Sequence, residues 1–494
     1  MKVFSAQQIR DWDAYTIKNE PIRSIDLINR AAAACRKHLA SIIRNYDTVR
    51  IFCGKGNNGG DGIAMAVGWK QEGIQSKVYI VGDASGGSED FEQQLQIAKA
   101  QQLDLYYIFS NNDFPEIEKT DLIIEALFGS GLNRPLSGLY AETVEMLNAS
   151  NATIIAVDLP AGLFCDRSSK GNPRIKAAET ISFQSPKLCF MMAENGPFFG
   201  KITLADIGLL PEFLHQVEAP VFVDEEYVRP LYKKRSPFSH KGNFGHALII
   251  AGNYGKMGAA LMCSKACLKT GAGLVTLDTP KAFLNAVHSY CPELMCKIRE
   301  EYQTYTSYNT IGIGPGMGTE SASKELLLKV LKQFDKPVLI DADAITILSG
   351  VENPLGNLPE NSILTPHPKE FDRLFGQSEN EFERMEKAVR LSKEHPLVLV
   401  LKGHRTLIAF RGKCWFNSTG NAGLAKGGSG DVLSGMITAL LAQSYSPLQA
   451  AILGVYLHGS AADFAAKKIA PESMMATDVI DHISDAFTAI GSKE

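Results

Sequence analysis

Apolar runs of four to seven residues recur along this chain, each ending at a glycine, an acidic residue or a Thr-Pro, and most leading into a longer segment of helical period. In the first half they are Val49 to Phe52 before CGKGNNGGDG, Lys77 to Val81 before GDASGG, Leu122 to Phe128 before GSGLNRP, and Thr153 to Val157 before DLPAGL. This alternation predicts βαβ units and a parallel sheet, with the polar turns at the carboxyl ends of the strands, where open α/β sheets bind ligands. A second series begins with HALIIAGN at His246 and continues through Thr310 to Gly314, Pro337 to Asp341, Ser362 to Thr365 and Leu397 to Lys402. That predicts a second, separate α/β domain. Between them, Pro220, Pro230 and the basic cluster Lys233 to Arg235 read as a connection. The two halves share a logic but no fixed period, so the chain is not a repeat protein.

Composition narrows the function classes. The 494 residues are 45% hydrophobic and 21% charged, ordinary for an ordered multidomain protein. Fifty basic against 54 acidic residues leave a net charge of -4, and with no recognised nucleic-acid motif a polynucleotide partner is not expected. Nine cysteines contain no C-x-x-C, which argues for free thiols in a reducing compartment rather than a disulfide or zinc framework. The start is charged throughout, and no run approaches the ~18 apolar residues of a membrane span, so a cytoplasmic protein without a membrane partner is expected.

The most informative segment is NAGLAKGGSGDVLSGMITALL, residues 421–441: a glycine turn over Gly427 to Gly430, then Asp431 opening a helix. N–H groups at such a helix start, here those of Gly428, Ser429 and Gly430, can cradle a phosphoryl group, and Asp431 can take the proton of an attacking hydroxyl. The same residues also make an ordinary tight turn with a helix cap. LKGHRT at 401–406 offers Lys402, backbone N–H groups and Thr406 to nucleotide phosphates, or is a hairpin end with a solvated lysine. GIGPGMG at 312–318 admits close backbone approach, LTPHPKE at 364–370 holds His367 between two prolines, and DADA at 341–344 suits Mg²⁺ on phosphates or simple helix capping.

Together and in this order, HKGNFGHALIIAGNYGKMGAALM, GIGPGMG, LTPHPKE, LKGHRT and NAGLAKGGSGD resemble the carbohydrate-kinase-like dehydratases that repair NAD(P)H hydrates, over residues 225–494. The resemblance implies loss of water from nicotinamide C6 of NADHX or NADPHX at the expense of ADP or ATP. Bacterial members generally use ADP, which is expected here, with Mg²⁺. It further implies that Lys402, Gly403, His404, Arg405, Thr406 and Gly430 hold the nucleotide, and that Ala260, Gly316, His367 and Asp431 face the hydrate. Members of this kind often assemble symmetrically, so a homo-oligomer is expected.

GKGNNGGDGIAMA at 54–66 has neither Rossmann nor Walker spacing, yet gathers Asn and Asp oxygens that suit a hard cation beside a phosphate. Asp121 and Asp158 flank two further strands, as ligands or as caps. With AQQIRDWDAYTI these motifs resemble the NAD(P)H-hydrate epimerase domain over about residues 1–215. That resemblance implies interconversion of the R and S hydrates and a bound K⁺. The substrate would be contacted by Asn57, Asn58, Gly59, Gly60 and Asp61, by Glu125, Ala126, Leu127, Phe128, Gly129, Ser130 and Gly131, and by Asp158 as the acid-base group. Potassium would lie near Asn58, Asp121 and the backbone of Ala161. Two departures stand out: Ala161 where the family usually has serine, and Glu125 where it usually has aspartate.

The expectation is therefore a bifunctional enzyme, with an N-terminal Rossmann-like α/β/α sandwich over 1–215, a linker over 216–240 and a C-terminal ribokinase-like α/β domain over 241–494. The rivals are a ribokinase-like small-molecule kinase and a dehydratase whose first domain only binds.

Overall fold

The structure, a computed structural model, describes residues 1–83, 86–301 and 304–491. Ala84 and Ser85 of the GDASGG turn lie outside the described residues. The chain forms two compact units, Lys2–Ala219 and Pro220 onward together with Met1.

Among its described residues the first unit has seven strands: β1 Val49–Cys53, β2 Lys77–Val81, β3 Asp104–Ile108, β4 Leu122–Ala126, β5 Thr153–Val157, β6 Glu179–Phe183 and β7 Lys201–Ala205. Their order is β3-β2-β1-β4-β5-β6-β7, and every neighbouring pair is parallel. The order reverses between β1 and β4, which opens a crevice at their carboxyl ends. The turn after β1 enters a helix over Asn57–Gln71 that is buried from Asn58 to Trp69. A side chain at Gly59 would strike the Gly54 carbonyl, so part of this glycine-rich motif serves to press the helix against the turn below it.

The second unit carries β8 Val221–Val223, β9 His246–Ile250, β10 Leu274–Thr279, β11 Met295–Ile298, β12 Thr310–Ile313, β13 Val338–Ile340, β14 Ile363–Leu364, β15 Val398–Leu401, β16 Leu407–Phe410 and β17 Lys413–Asn417. The order is β11-β10-β9-β12-β13-β14-β15-β16-β17-β8, with β15, β16 and β17 antiparallel and the other pairs parallel. Its core is packed around a helix over Ser429–Ala442, buried continuously from Val432 to Ala442. A helix apolar on all sides is stable only inside a domain.

One expectation needs correcting. Residues 216–240 are not a free connection: Val221–Val223 is the edge strand β8, pairing Trp415, Phe416 and Asn417. Lys233 donates to the Ser444 carbonyl and Arg235 stacks on Phe244, so the basic cluster packs on its own domain. The aliphatic stems of such residues cover apolar surface while their charges find carbonyls.

Candidate active sites

In the first unit, Asp158 follows β5 with φ +65°, a left-handed conformation that costs a non-glycine residue about 1–3 kcal/mol. Its Oδ1 lies 2.7 Å from Lys187 Nζ, and its Oδ2 accepts the Ser130 N–H at 2.8 Å. Lys187 is completely buried and also donates to Ser182 Oγ at 2.7 Å. Burial pushes the Asp158 carboxyl up, but Lys187 and Ser130 more than offset it, so it is held below its ordinary value. Two neighbouring carboxyls go the other way. Burial, then the Asp158 charge, lifts Asp13 to about 7 and Asp61 well above the usual range. One crevice thus holds a fixed carboxylate beside carboxyls that keep protons, the arrangement that separates base from acid.

The turn after β4 supplies the floor. A side chain on Gly129 would meet Asp158 Oδ2 and Asn58 Oδ1, at 2.5 and 3.3 Å, so these oxygens converge over the glycine. Among the described residues, Asn58 Oδ1 and Nδ2 are both buried without a hydrogen-bond partner. Asn57 and Gly131 are exposed, Phe128 to Ser130 are half-buried, and Glu125 to Leu127 are buried. Glu125 is a brace rather than a contact: its Oε1 accepts the Leu127 N–H at 2.8 Å and its Oε2 the Ala161 N–H at 3.0 Å. Burial raises it to about 8 against the pull of those N–H groups.

Of the residues expected around potassium, Asp121 lies apart from the crevice. Asp121 stands at the amino end of β4, at the opposite edge of the sheet from the crevice, where Arg50 Nε lies 2.6 Å from its carboxylate. The Ala161 carbonyl already accepts the Ile175 N–H at 2.9 Å. Asn58, with its unmatched oxygen, fits a cation; Asp121 does not.

In the second unit, three strand-end turns meet at the start of the helix Ser429–Ala442. Gly428 caps it with φ +93°, and the helical ladder begins with Val432 N–H to the Gly428 carbonyl at 3.1 Å. The N–H groups of Gly430 and Asp431 precede that ladder, while Ser429 N–H turns back toward the Lys426 carbonyl at 3.5 Å. Of the N–H groups of Gly428, Ser429 and Gly430 expected to cradle an anion, that of Ser429 is the one with a carbonyl in reach. Lys402 Nζ, at the end of β15, lies 2.8 Å from Asp341 Oδ1, at the end of β13, and Ser434 Oγ donates to Asp341 Oδ2 at 2.6 Å. A side chain on Gly430 would stand 3.4 Å from Lys402 Nζ, which fixes all three groups at one spot. Burial pulls Lys402 down, yet Asp341 holds it above its ordinary value. Burial and Asp341 push Asp431 up to about 7, against Lys402.

The remaining expected residues are placed less uniformly. Gly316 has φ +60° and closes on the Lys256 carbonyl, and Asp343 binds Lys256 Nζ at 3.1 Å and the Gly318 N–H at 2.9 Å. Ala260 is wholly buried beneath Gly252 and presents nothing to a ligand. His367 caps its own helix: Nδ1 accepts the N–H groups of Lys369 and Glu370, and Nε2 lies 3.3 Å from Glu370 Oε1. Gly403 and His404 are exposed, and Thr406 Oγ1 donates to the Gly403 carbonyl at 3.2 Å. Arg405 donates to the Ser418 carbonyl at 2.6 Å and lies over Phe222, so its guanidinium is committed within the domain.

Sequence reasoning missed Lys187 and Arg299. Lys187 had a signal, a lone charge in an apolar stretch, since lysine is almost never buried unpaired. Arg299 ties the β9 turn to β10, donating to Asp278 and to the carbonyls of Ala251 and Gly252, each at 2.8 Å. Nothing local in the sequence marks it.

The profile of the NAD(P)H-hydrate dehydratase family matches residues 247–485, and that of the YjeF-related protein N-terminus matches residues 24–189. A bifunctional NAD(P)H-hydrate repair enzyme Nnr from Coxiella burnetii is 33% identical over 491 residues, covering 97% of this chain and 98% of that protein. One of the same description from Escherichia coli is 34% identical, covering 87% and 83%. Among solved structures, the ADP/ATP-dependent NAD(P)H-hydrate dehydratase of Bacillus subtilis, co-crystallised with ATP and Mg²⁺, is 33% identical with a TM-score of 0.51, covering 56% of this chain and all of that one. With both profiles in tandem and relatives matched almost end to end, the chain belongs to the family of bifunctional NAD(P)H-hydrate repair enzymes.

Proposed function

We propose that this chain performs both steps of nicotinamide-hydrate repair, epimerising the C6 hydrates of NADH and NADPH in its first unit and dehydrating the S form in its second. The observation that carries the dehydratase reading is Asp431, lifted to about 7 at a helix start whose Gly430 and Asp431 N–H groups precede the helical ladder beside Lys402. In its ionised form Asp431 takes the proton of the C6 hydroxyl, whose oxygen then attacks the terminal phosphoryl group of ADP or ATP. A carboxyl tuned near neutrality is a far better base for an alcohol than one near 4. The Gly430 and Asp431 amides and Lys402 receive the negative charge of the transferring group. The C6–O bond then breaks with phosphate as leaving group and a C5 proton is lost, regenerating the reduced ring.

Magnesium would be held on the phosphates of the nucleotide, where it would neutralise their charge. Both Asp341 oxygens are engaged by Lys402 and Ser434, and Asp343 by Lys256 and Gly318, so these carboxylates suit a role beneath the phosphates.

In the first unit the substrate carbon is a hemiaminal. Asp158 takes the C6 hydroxyl proton, the C6–N1 bond opens to an aldehyde while a neighbouring carboxyl protonates N1, and the ring recloses on the other face. Asp158, kept ionised by Lys187, and Asp13, kept protonated by burial, supply the base and the acid. Potassium at Asn58 enters no step. The nine unpaired thiols fit a reducing cytosol.

The test is to incubate the protein with mixed R and S hydrates, Mg²⁺, K⁺ and either ADP or ATP, following the reduced-nicotinamide absorbance. Full recovery of both epimers is expected. Recovery of the S form alone would reduce the first unit to a binding module, and none would overturn the reading.

A further inference from the structure

The turn that carries Asp431 is gripped by one helix, Pro447–Ala466, at both of its ends. At the entry, Asp463 Oδ2 accepts the Gly420 N–H and Oδ1 accepts from Asn421 Nδ2, each at 2.9 Å. Two turns earlier on the same helix, the Tyr456 carbonyl accepts from Thr419 Oγ1 at 2.8 Å. Gly459 lets the helix approach this closely, since a side chain there would stand 2.6 Å from the Thr419 carbonyl carbon. At the exit, His458 Nε2 faces Ser429 Oγ at 3.4 Å, and its ring also meets the Ser429 backbone. His458 is 7% exposed, on a helix whose other buried residues are apolar apart from the Tyr456 hydroxyl. A polar ring buried there must have a use for its nitrogens.

Resting on the dehydratase reading, we propose that His458 is a positioning residue for phosphoryl transfer: it anchors Ser429, the first residue of the helix, so that the next two N–H groups, of Gly430 and Asp431, stay aimed at the phosphoryl group. The ring itself does not reach the reacting atoms, because Ser429 stands between. Its neutral form suits the role. Burial drives its pKa down to about 4, and Lys402 pushes the same way, so no positive charge competes for the phosphoryl group at working pH. Asp463 does the same from the entry side, holding Gly420 and Asn421 with a fixed carboxylate. Ser429 is left with a structural duty, consistent with its N–H turning back to Lys426.

The test is steady-state kinetics of His458→Phe, His458→Gln and wild type in the full chain, with S hydrate and ADP or ATP, and with the urea unfolding transition of the second unit as the control for folding. A phosphoryl cradle displaced by up to 1 Å predicts that His458→Phe lowers kcat by about 10- to 100-fold. The KM for the hydrate stays within about twofold, because the lost interaction acts in the transition state. His458→Gln, which keeps an amide near Ser429, recovers part of the loss. A folded His458→Phe with wild-type kcat, or a loss confined to KM, would overturn the inference while leaving the dehydratase standing. If His458→Phe fails to fold, Ser429→Ala decides: it removes the hydroxyl partner from the half-exposed side and must lower kcat without moving the KM for the hydrate. Wild type without any turnover would instead remove the dehydratase reading, and this inference with it.

Discussion

Lys187 places its ammonium 2.7 Å from Asp158 Oδ1 with none of its surface in water. Two charges taken out of solvent are tolerated because they face each other and because Ser182 and Ser130 satisfy their remaining hydrogen bonds. The pair sets the chemistry of the first site, since it holds Asp158 ionised beside carboxyls that burial raises.

Removing either member tests this. Asp158→Asn should slow hydrate interconversion by about 100-fold or more, as loss of a general base does. Dehydration of purified S hydrate should be unchanged, because Asp431 belongs to the other unit. Lys187→Met leaves Asp158 buried and unpaired, which costs about 3–5 kcal/mol. Its signature is a lower urea midpoint for the first unit together with slowed epimerisation. Unchanged epimerisation in both variants would remove the pair from the mechanism.

The second site should announce itself in pH. Asp431 acts ionised and titrates near 7, so kcat/KM for dehydration should rise with pH and level off above about 7. Asp431→Asn should abolish dehydration and leave epimerisation intact. Asp341→Asn removes a carboxylate that raises Asp431, so the surviving activity should show its limb at lower pH. A limb that stays in place would show that Asp341 does not tune the base.

Asp13 links acid chemistry to stability. Its folded pKa is raised from 3.8 to about 7, so between these values the folded chain holds a proton the unfolded chain has lost. Its stabilising contribution is fully present below about 4 and is lost as pH rises to about 7. Asp13→Asn should therefore flatten the fall in stability over that window and leave the protein on the order of 1–2 kcal/mol more stable at pH 8. Urea titrations of the two proteins across that pH range measure the difference directly.

Glu125 braces two turns at once, and Glu125→Ala would strand the buried N–H groups of Leu127 and Ala161. Each costs about 1–3 kcal/mol when left unpaired. Epimerisation should slow with it, because the Phe128 to Ser130 turn loses its support beneath Asp158. Calorimetry and the epimerase rate should move together; a stability loss with full epimerase activity would confine Glu125 to folding.

Much of this protein is legible in the sequence because the βαβ signal is local. The runs Lys77–Val81 and Thr153–Val157 are strands with the expected bounds, and HALII at His246 is a parallel strand of the second sheet. Strands without a strong apolar run, such as Glu179–Phe183 and Lys201–Ala205, went unread, because pairing with neighbours rather than their own pattern holds them in the sheet. The stretch read as a linker shows the same limit: Val221–Val223 is a strand only because Trp415 to Asn417 lie beside it.

The sites divide along the same line. Asp158 and Asp431 could be picked from the sequence because glycine and proline punctuation marks where a strand ends, and strand ends are where α/β folds expose chemistry. Their protonation could not, because it depends on burial and on which charges the fold brings within a few ångströms. Asp121 looks like Asp158 in the sequence, an acidic residue at a strand boundary, yet one end of the strand opens on the crevice and the other on Arg50. Lys187 and His458 come to their partners from 29 residues away in sequence, across a strand and a helix. Local pattern determines which segments become strands and where turns expose polar groups; only tertiary packing decides which of those groups meet, and proximity in a low dielectric is what makes a carboxyl a base.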